Sequence, residues 1–247
     1  MKKIIVFDIR GPAAHFRKYF TNSSSLSYAF PPRTVITGMI GAILGLERDS
    51  YYELLSPDTA QVALKINCQV RKIMQTIKFI NTKQLNWVNG YGGPTMIPTE
   101  IVVPQEGKEL VYRVYFSHKD ERIQKNLLEK LEHGPIFPLF LGRSEFLANP
   151  VLVGEFTAEP SQGAEVQTVV NMSLIEGQSL VFQPDAGKNL IYLKEQMPYA
   201  FGPGRKLIEI CNMLYERSCQ GITARFKTSP YYIDELDETL LFMEEGV

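Results

Sequence analysis

The chain has 247 residues, 45% of them hydrophobic and 21% charged, enough to bury a substantial core in one large domain or two small ones without disulfides or metals. Its three cysteines, Cys68, Cys211 and Cys219, are too few and too scattered for a disulfide framework or a four-ligand zinc site, which fits a reducing cytoplasm. The formal net charge of −1 conceals an asymmetry, because residues 1–150 carry 19 Lys+Arg against 13 Asp+Glu while residues 151–247 carry 7 against 14.

Residues 2–9 are β-branched and apolar and end at Gly11-Pro12, so they read as a buried strand; the apolar run is too short for a signal peptide. After a Ser/Asn/Pro-rich loop, residues 33–46 read as a helix entered from Pro31-Pro32 with Thr34 as its cap. Gly38, Gly41 and Gly45 share one face, which implies close packing of the helix backbone, most simply against a sheet. The stretch Val35–Leu46 is about twelve residues, short of the roughly 20 that span a bilayer, so a soluble protein with no membrane partner is expected. Residues 60–80 read as one strand or a bent pair. The glycine- and asparagine-rich segment 81–94, with Trp87 and Tyr91, breaks the pattern before strands resume at 96–103 and 110–117. Asp120 caps an amphipathic helix bearing Ile123, Leu127, Leu128 and Leu131, which ends near Gly134-Pro135. A strand over 151–159 follows, and the acidic remainder reads as short strands and a helix from Lys206 to Cys219.

The order strand, helix, strand, strand, helix, strand is the ferredoxin-like arrangement also used by RNA-recognition modules, although aromatics on the central strands are not obvious. Charge points the same way. Between Asp58 and Glu100 there is no acid, while Lys65, Arg71, Lys72, Lys78 and Lys83 are basic; up to Leu46 the one acid, Asp8, faces six cations. A cationic half suggests a polyanion-binding face, with the acidic half turned away toward partners or solvent; chance clustering is the alternative. No GxxxxGK[ST] or GxSxG occurs, and three scattered histidines without paired acids argue against a catalytic metal; no cofactor is expected.

Three segments carry a more specific signal: FDIRGPAAHFRKYFTNSSSLSYAFPPRTVITGMIGAILGL (residues 7–46), PTEIVVP with the following YRVYF strand, and PLFLGRSEFLA (residues 138–148). Together they resemble the fifth CRISPR-associated protein family of the RAMP superfamily, and most closely its type I-B branch; the likeness extends weakly into EQMPYAFGPGR. The resemblance implies an α+β fold: a ferredoxin-like (RRM-like) RAMP domain over residues 1–159, with an inserted β-hairpin thumb at about 74–98, and a smaller mixed region over 160–247. It implies a non-catalytic subunit of a Cascade complex in antiviral defense. Such a subunit holds the 5′ handle of the crRNA beside the backbone and large subunits, within reach of target DNA near the protospacer-adjacent motif.

Handle binding requires cations near phosphates and donors to extruded bases. Arg10 ends the first strand, Arg33 and Thr34 open the helix whose amides could hold a phosphate, and Arg143 and Ser144 follow Gly142, where glycine permits close backbone approach to a ligand. Each arginine has an alternative as a surface charge or an intramolecular pair. Lys78, Lys83 and Trp87 lie in the expected thumb, suited to an arm that wedges an apolar residue at a base step. Tyr28 and Phe30 could stack on bases or fill the core. The type I-C branch of the same family cleaves repeat RNA without metal, which makes His118-Lys119 the pair to examine for a metal-independent endoribonuclease. The competing reading is a polar junction ahead of Asp120. His15, beside Arg17 and Lys18, is a second candidate, and His133 ends a helix, where a cation suits the dipole.

Overall fold

The computed structural model describes residues 1–21, 24–180 and 190–244. The framework elements are β1 (Lys2–Gly11), α1 (Arg33–Leu44), β2 (Ala60–Ile66), β3 (Val70–Ile80), β4 (Pro94–Pro104), β5 (Leu110–His118), α2 (Glu121–His133) and β6 (Leu147–Pro160). The C-terminal part adds β7 (Tyr192–Gly202), β8 (Lys206–Glu216), β9 (Tyr231–Ile233) and β10 (Glu238–Leu240). The main sheet runs β10-β9-β6-β1-β5-β2 with antiparallel neighbours throughout.

β1 carries an unbroken apolar run, residues 4–7, because the sheet is covered on both faces. Ile5, Phe7 and Ile9 point to the layer of α1 and α2, where Ile36, Ile40, Ile43, Leu127 and Leu131 pack. Ile4 and Val6 point the other way, onto Ile233, Leu240 and Phe242 from the C-terminal end of the chain. Alternation of side chains along a strand produces both contacts from one segment. The expected division at 159/160 therefore falls at the end of a strand, β6, and the later residues complete the sheet and share the helical-side core through Met197, Tyr199, Met213, Tyr215 and Met243.

α1 begins after Pro32, and no side chain caps it. Thr34 lies inside the first turn, so it is not the cap; Pro32 supplies the carbonyl that accepts from the amides of Val35 and Ile36. The glycines of α1 are matched to a side chain rather than to the sheet. A Cβ at Gly41 would lie 3.1 Å from the Tyr51 ring, and one at Gly38 would lie 3.1 Å from the Tyr51 hydroxyl. Gly45 closes the helix in the left-handed conformation, at φ 74°. α2 follows the sequence reading, with Asp120 accepting from the Arg122 amide at its start.

β3 and β4 form an isolated two-stranded hairpin in unbroken register from Val70–Pro104 to Ile80–Pro94. Its base is stitched to the body by paired backbone bonds between Ala14 and Val102, and by Ser25 with Pro98 and Glu100. Beyond Ile97 the hairpin extends into solvent, with Leu85 and Tyr91 at its tip 93% and 90% exposed. The segment 206–219 is not a helix: β8 pairs with β7 around the turn Pro203–Arg205, where Gly204 and Arg205 have φ of 67° and 61°. Both faces of β8 find partners, Met213 and Tyr215 in the main core and Leu214 in a smaller C-terminal one, which a helix could not arrange.

On the C-terminal face of the sheet, strand register sets Asp8 opposite Arg113 and Arg113 opposite Lys65. Glu238 of β10 completes the group, accepting from Arg113 (3.1 Å), Lys65 (2.6 Å) and the Tyr115 hydroxyl (2.6 Å). Burial alone would raise the Glu238 carboxyl, but the Lys65 and Tyr115 hydrogen bonds and the Arg113 charge outweigh it and hold the group below its ordinary value. A carboxyl depressed in the folded state contributes stability that is present above its unfolded pKa of 4.5 and is lost as pH falls through its folded value. Thermal melts of Glu238→Gln should therefore run below wild type near neutral pH and converge with it in acid. Parallel curves across the acid range would show that this carboxylate does not couple pH to folding.

Candidate nucleic-acid interface

Two cavities open side by side on the body, the second of them beneath the hairpin. The first, about 460 Å³, lies between the opening turn of α1, the 138–144 loop and the β7–β8 turn. Thr34, Val35 and Gly38 form one wall, Arg143 and Ser144 another, and Phe201 and Arg205 a third. The second, about 400 Å³, lies under the hairpin among Phe79, Ile97, Thr99, Ser24 and Ser25. His15, Arg17, Gly142 and Arg143 line both, so two arginines stand where the cavities meet. Among the described residues, neither is lined by an aspartate or glutamate.

The junction is positioned by backbone contacts. The His15 amide donates to the Leu141 carbonyl (2.9 Å), and the Phe146 amide to that of Arg143 (3.0 Å), which turns the 142–146 segment tightly. Gly142 sits at φ 89°, where a Cβ would meet the His15 carbonyl oxygen at 2.1 Å. The close approach that demands glycine at this position is to the protein's own chain, while the residue still lines both cavities. Arg143 is 19% exposed, lies over the Phe79 ring at 5.3 Å and pairs with Glu145 at 2.8 Å. That pairing holds the Glu145 carboxyl well below the usual range, at about 2. Arg17 is exposed and donates to the Thr21 carbonyl (3.0 Å).

His15 is buried and fully engaged. Nδ1 lies 2.7 Å from the Glu100 carbonyl and must donate to it, which leaves Nε2 to accept from the Ser25 hydroxyl at 2.8 Å. Burial, reinforced by the neighbouring Arg143 and Arg17, lowers its pKa and favours the neutral ring this network needs. His118 is likewise buried, with Nε2 donating to the Leu54 carbonyl (2.8 Å) and Nδ1 accepting from the Asp120 amide (2.9 Å). This is the arrangement of the polar-junction reading, and neither His118 nor Lys119 lines either cavity. His133 accompanies the end of α2, within 2.9 Å of the Glu129 carbonyl.

The expected binding residues thus separate into groups. Thr34, Arg143 and Ser144 meet at the first cavity. Arg33 does not face a ligand: it is 3% exposed and its guanidinium is committed to Glu244 and to the carbonyls of Leu55 and Ala60. Arg10 bonds Asp8 (3.0 Å) and lines neither cavity. Lys78 and Lys83 are exposed along the hairpin. Trp87 folds back onto Gly92 of the tip, where a Cβ would lie 2.4 Å from the indole, leaving Leu85 and Tyr91 as its projecting apolar groups. Tyr28 and Phe30 are core residues. The C-terminal half is not confined to the far side of the molecule, because Pro198, Phe201 and Arg205 form a cavity wall. Sequence reasoning passed over Phe79, Phe201 and Arg205. The Gly-Pro-Gly-Arg turn was the available signal for the last.

Among the described residues no group of three or more His, Cys, Asp or Glu side chains could hold a metal ion, and no helix is long and apolar enough to cross a membrane.

This fold has counterparts among known proteins. The family described as CRISPR-associated protein (Cas_Cas5) matches over residues 4–186. A crystal structure of a CRISPR protein from Archaeoglobus fulgidus shares the fold at a TM-score of 0.55 and 11% identity, with 98% of this chain and 100% of that one covered. A chain of a CRISPR RNA-guided surveillance complex aligns at a TM-score of 0.49 and 14% identity, covering 90% of this chain and 91% of that one. No curated protein sequence matches significantly. The chain belongs to the CRISPR-associated Cas5 family.

Replacing Gly142 with alanine should destabilise the protein by about 2 kcal/mol or more, since the new methyl would require both a strained backbone and displacement of the His15 carbonyl. Urea denaturation reads this directly; a loss under half that size would mean the 142–146 turn relaxes without disturbing its neighbours.

Proposed function

We propose that this protein binds the 5′ handle of a CRISPR guide RNA as a non-catalytic structural subunit of a Cascade-type complex. The observation that carries the reading is the pair of cavities sharing Arg17 and Arg143. Single-stranded RNA is recognised through phosphates held by cations and unstacked bases set against aromatic or apolar surfaces. Here two arginines stand between two chambers, each with an aromatic side chain in its wall, Phe79 in one and Phe201 in the other. A phosphate at the arginines would leave a base on either side. The amides opening α1 add partial positive charge to the first chamber.

On this reading β6-β1-β5-β2 is the sheet of a ferredoxin-like domain, supported by its interleaved order and by α1 and α2 joining its strands. The hairpin of β3 and β4 is the thumb, longer than the 74–98 expected, and Leu85 and Tyr91 are its wedge or its contact with a backbone subunit. A large subunit and target DNA beside the protospacer-adjacent motif complete the expected partners, in the cytoplasm. Engagement of both ring nitrogens in His15 and in His118 supports a binding role over cleavage.

The test uses full-length protein and the guide RNA that co-purifies with its native complex. Arg17→Ala and Arg143→Ala should each weaken capture of that RNA by about 1–3 kcal/mol, and the double variant should also flatten the salt dependence. Undiminished capture by a folded double variant would remove the cleft from the binding surface.

A further inference from the structure

Beside the proposed binding site, a carboxylate pairs with one of the cations that line it. Three arginines line the two cavities, Arg17, Arg143 and Arg205. Among the described residues, Arg143 alone of the three forms an ion pair within 4.0 Å. Its partner Glu145 lies two positions away in the same tight turn, and approaches the guanidinium along one edge: Oε1 is 2.8 Å from Nη2 and Oε2 3.3 Å from Nε. The Ser144 hydroxyl donates to the same carboxylate at 3.3 Å.

The two members of the pair differ in freedom. Phe79 backs the guanidinium, whereas the Glu145 side chain is 57% exposed. Rotating Glu145 into water gives up its hydrogen bonds with Arg143 and Ser144, while moving Arg143 would also strip it from the ring. A carboxylate bound at two nitrogens of a guanidinium presents the same charge and fork geometry as two oxygens of a phosphodiester. An RNA phosphate arriving at Arg143 must displace that carboxylate or lie beside it, and either course costs affinity.

We propose that Glu145 is a built-in competitor for the phosphate site at Arg143, occupying the cation in the free protein and reducing its affinity for RNA. The inference rests on the cleft being the RNA-binding site. Its consequence is selectivity: a ligand contacting Arg143 through phosphate alone is discouraged, whereas one that also fills the two chambers can displace the carboxylate.

The test measures fluorescence-anisotropy binding of a short, fluorescein-labelled single-stranded RNA of mixed sequence to full-length protein. The variants are Glu145→Gln, Arg143→Ala and their combination. Glutamine keeps an acceptor for Arg143 and removes the charge. Glu145→Gln should tighten binding about three- to tenfold and steepen the salt dependence. In the Arg143→Ala background the same change should yield less than a twofold gain. Unchanged or weaker binding by Glu145→Gln, with Arg143→Ala still impaired, would overturn the proposal and make Glu145 a positioning residue for Arg143 in a cleft that still binds RNA. An equal gain in both backgrounds would also overturn it, reducing the effect to bulk charge. If Arg143→Ala binds as well as wild type, the reading of the cleft fails and the proposal fails with it.

Discussion

The buried ion pair between Arg33 and Glu244 fixes the geometry on which the rest depends. Arg33 opens α1, and its guanidinium donates to Glu244 and to the carbonyls of Leu55 and Ala60 while lying 5.4 Å from the Tyr199 ring centre. The second oxygen of Glu244 accepts from the Val62 amide at 2.8 Å. One residue near the C-terminus thereby joins the start of α1, the start of β2 and the strand β7. Such a pair is poor evidence for net stability, because desolvating two charges consumes most of their attraction, but removing one partner strands the other at a cost of about 3–5 kcal/mol. What the pair secures is position. The α1 turn it anchors supplies Thr34, Val35 and Gly38 to the first cavity, and β7 supplies Phe201.

The charge asymmetry along the chain takes on a different meaning in this frame. Much of it is spent internally, since acids of the second half neutralise cations of the first: Glu195 meets Lys18 and Lys72, Glu238 meets Lys65 and Arg113, and Glu244 meets Arg33. A basic half and an acidic half are what a chain needs if its C-terminal strands are to dock on its N-terminal sheet. The cations relevant to a polyanion are those outside these pairings, notably Arg17 and Arg205 at the cleft and Lys78 and Lys83 on the hairpin. Net charge by segment pointed toward a nucleic-acid ligand, but on its own it could not separate an RNA-binding arginine from a structural one.

Local patterns were legible where one element's periodicity set its fate. The apolar run of β1, the Asp120-capped face of α2 and the Gly/Asn-rich break between β3 and β4 were each readable. The failures share a cause, which is tertiary pairing across long sequence separations. Nothing near Arg33 announces Glu244, 211 residues away. Gly38 and Gly41 of α1 fit a tyrosine ring from the following loop, Gly45 caps the helix against Ile136, and β8 is a strand because β7 and two cores require it, although its apolar spacing also suits a helix. At the cleft, the GRSEF segment was readable as a motif. Phe79, Phe201 and Arg205 came into view once the hairpin and the β7–β8 turn were seen to close around it.

The central claim is that RNA lies in the cleft where the two cavities meet at Arg17 and Arg143. Photocrosslinking of 4-thiouridine-substituted guide RNA to the full-length protein, followed by peptide mapping, tests it most directly. The account predicts crosslinks at Tyr19, Phe79 and Phe201, which line the two cavities from three separate parts of the chain. Crosslinks confined to α2, or to β9 and β10 at one edge of the sheet, would contradict it.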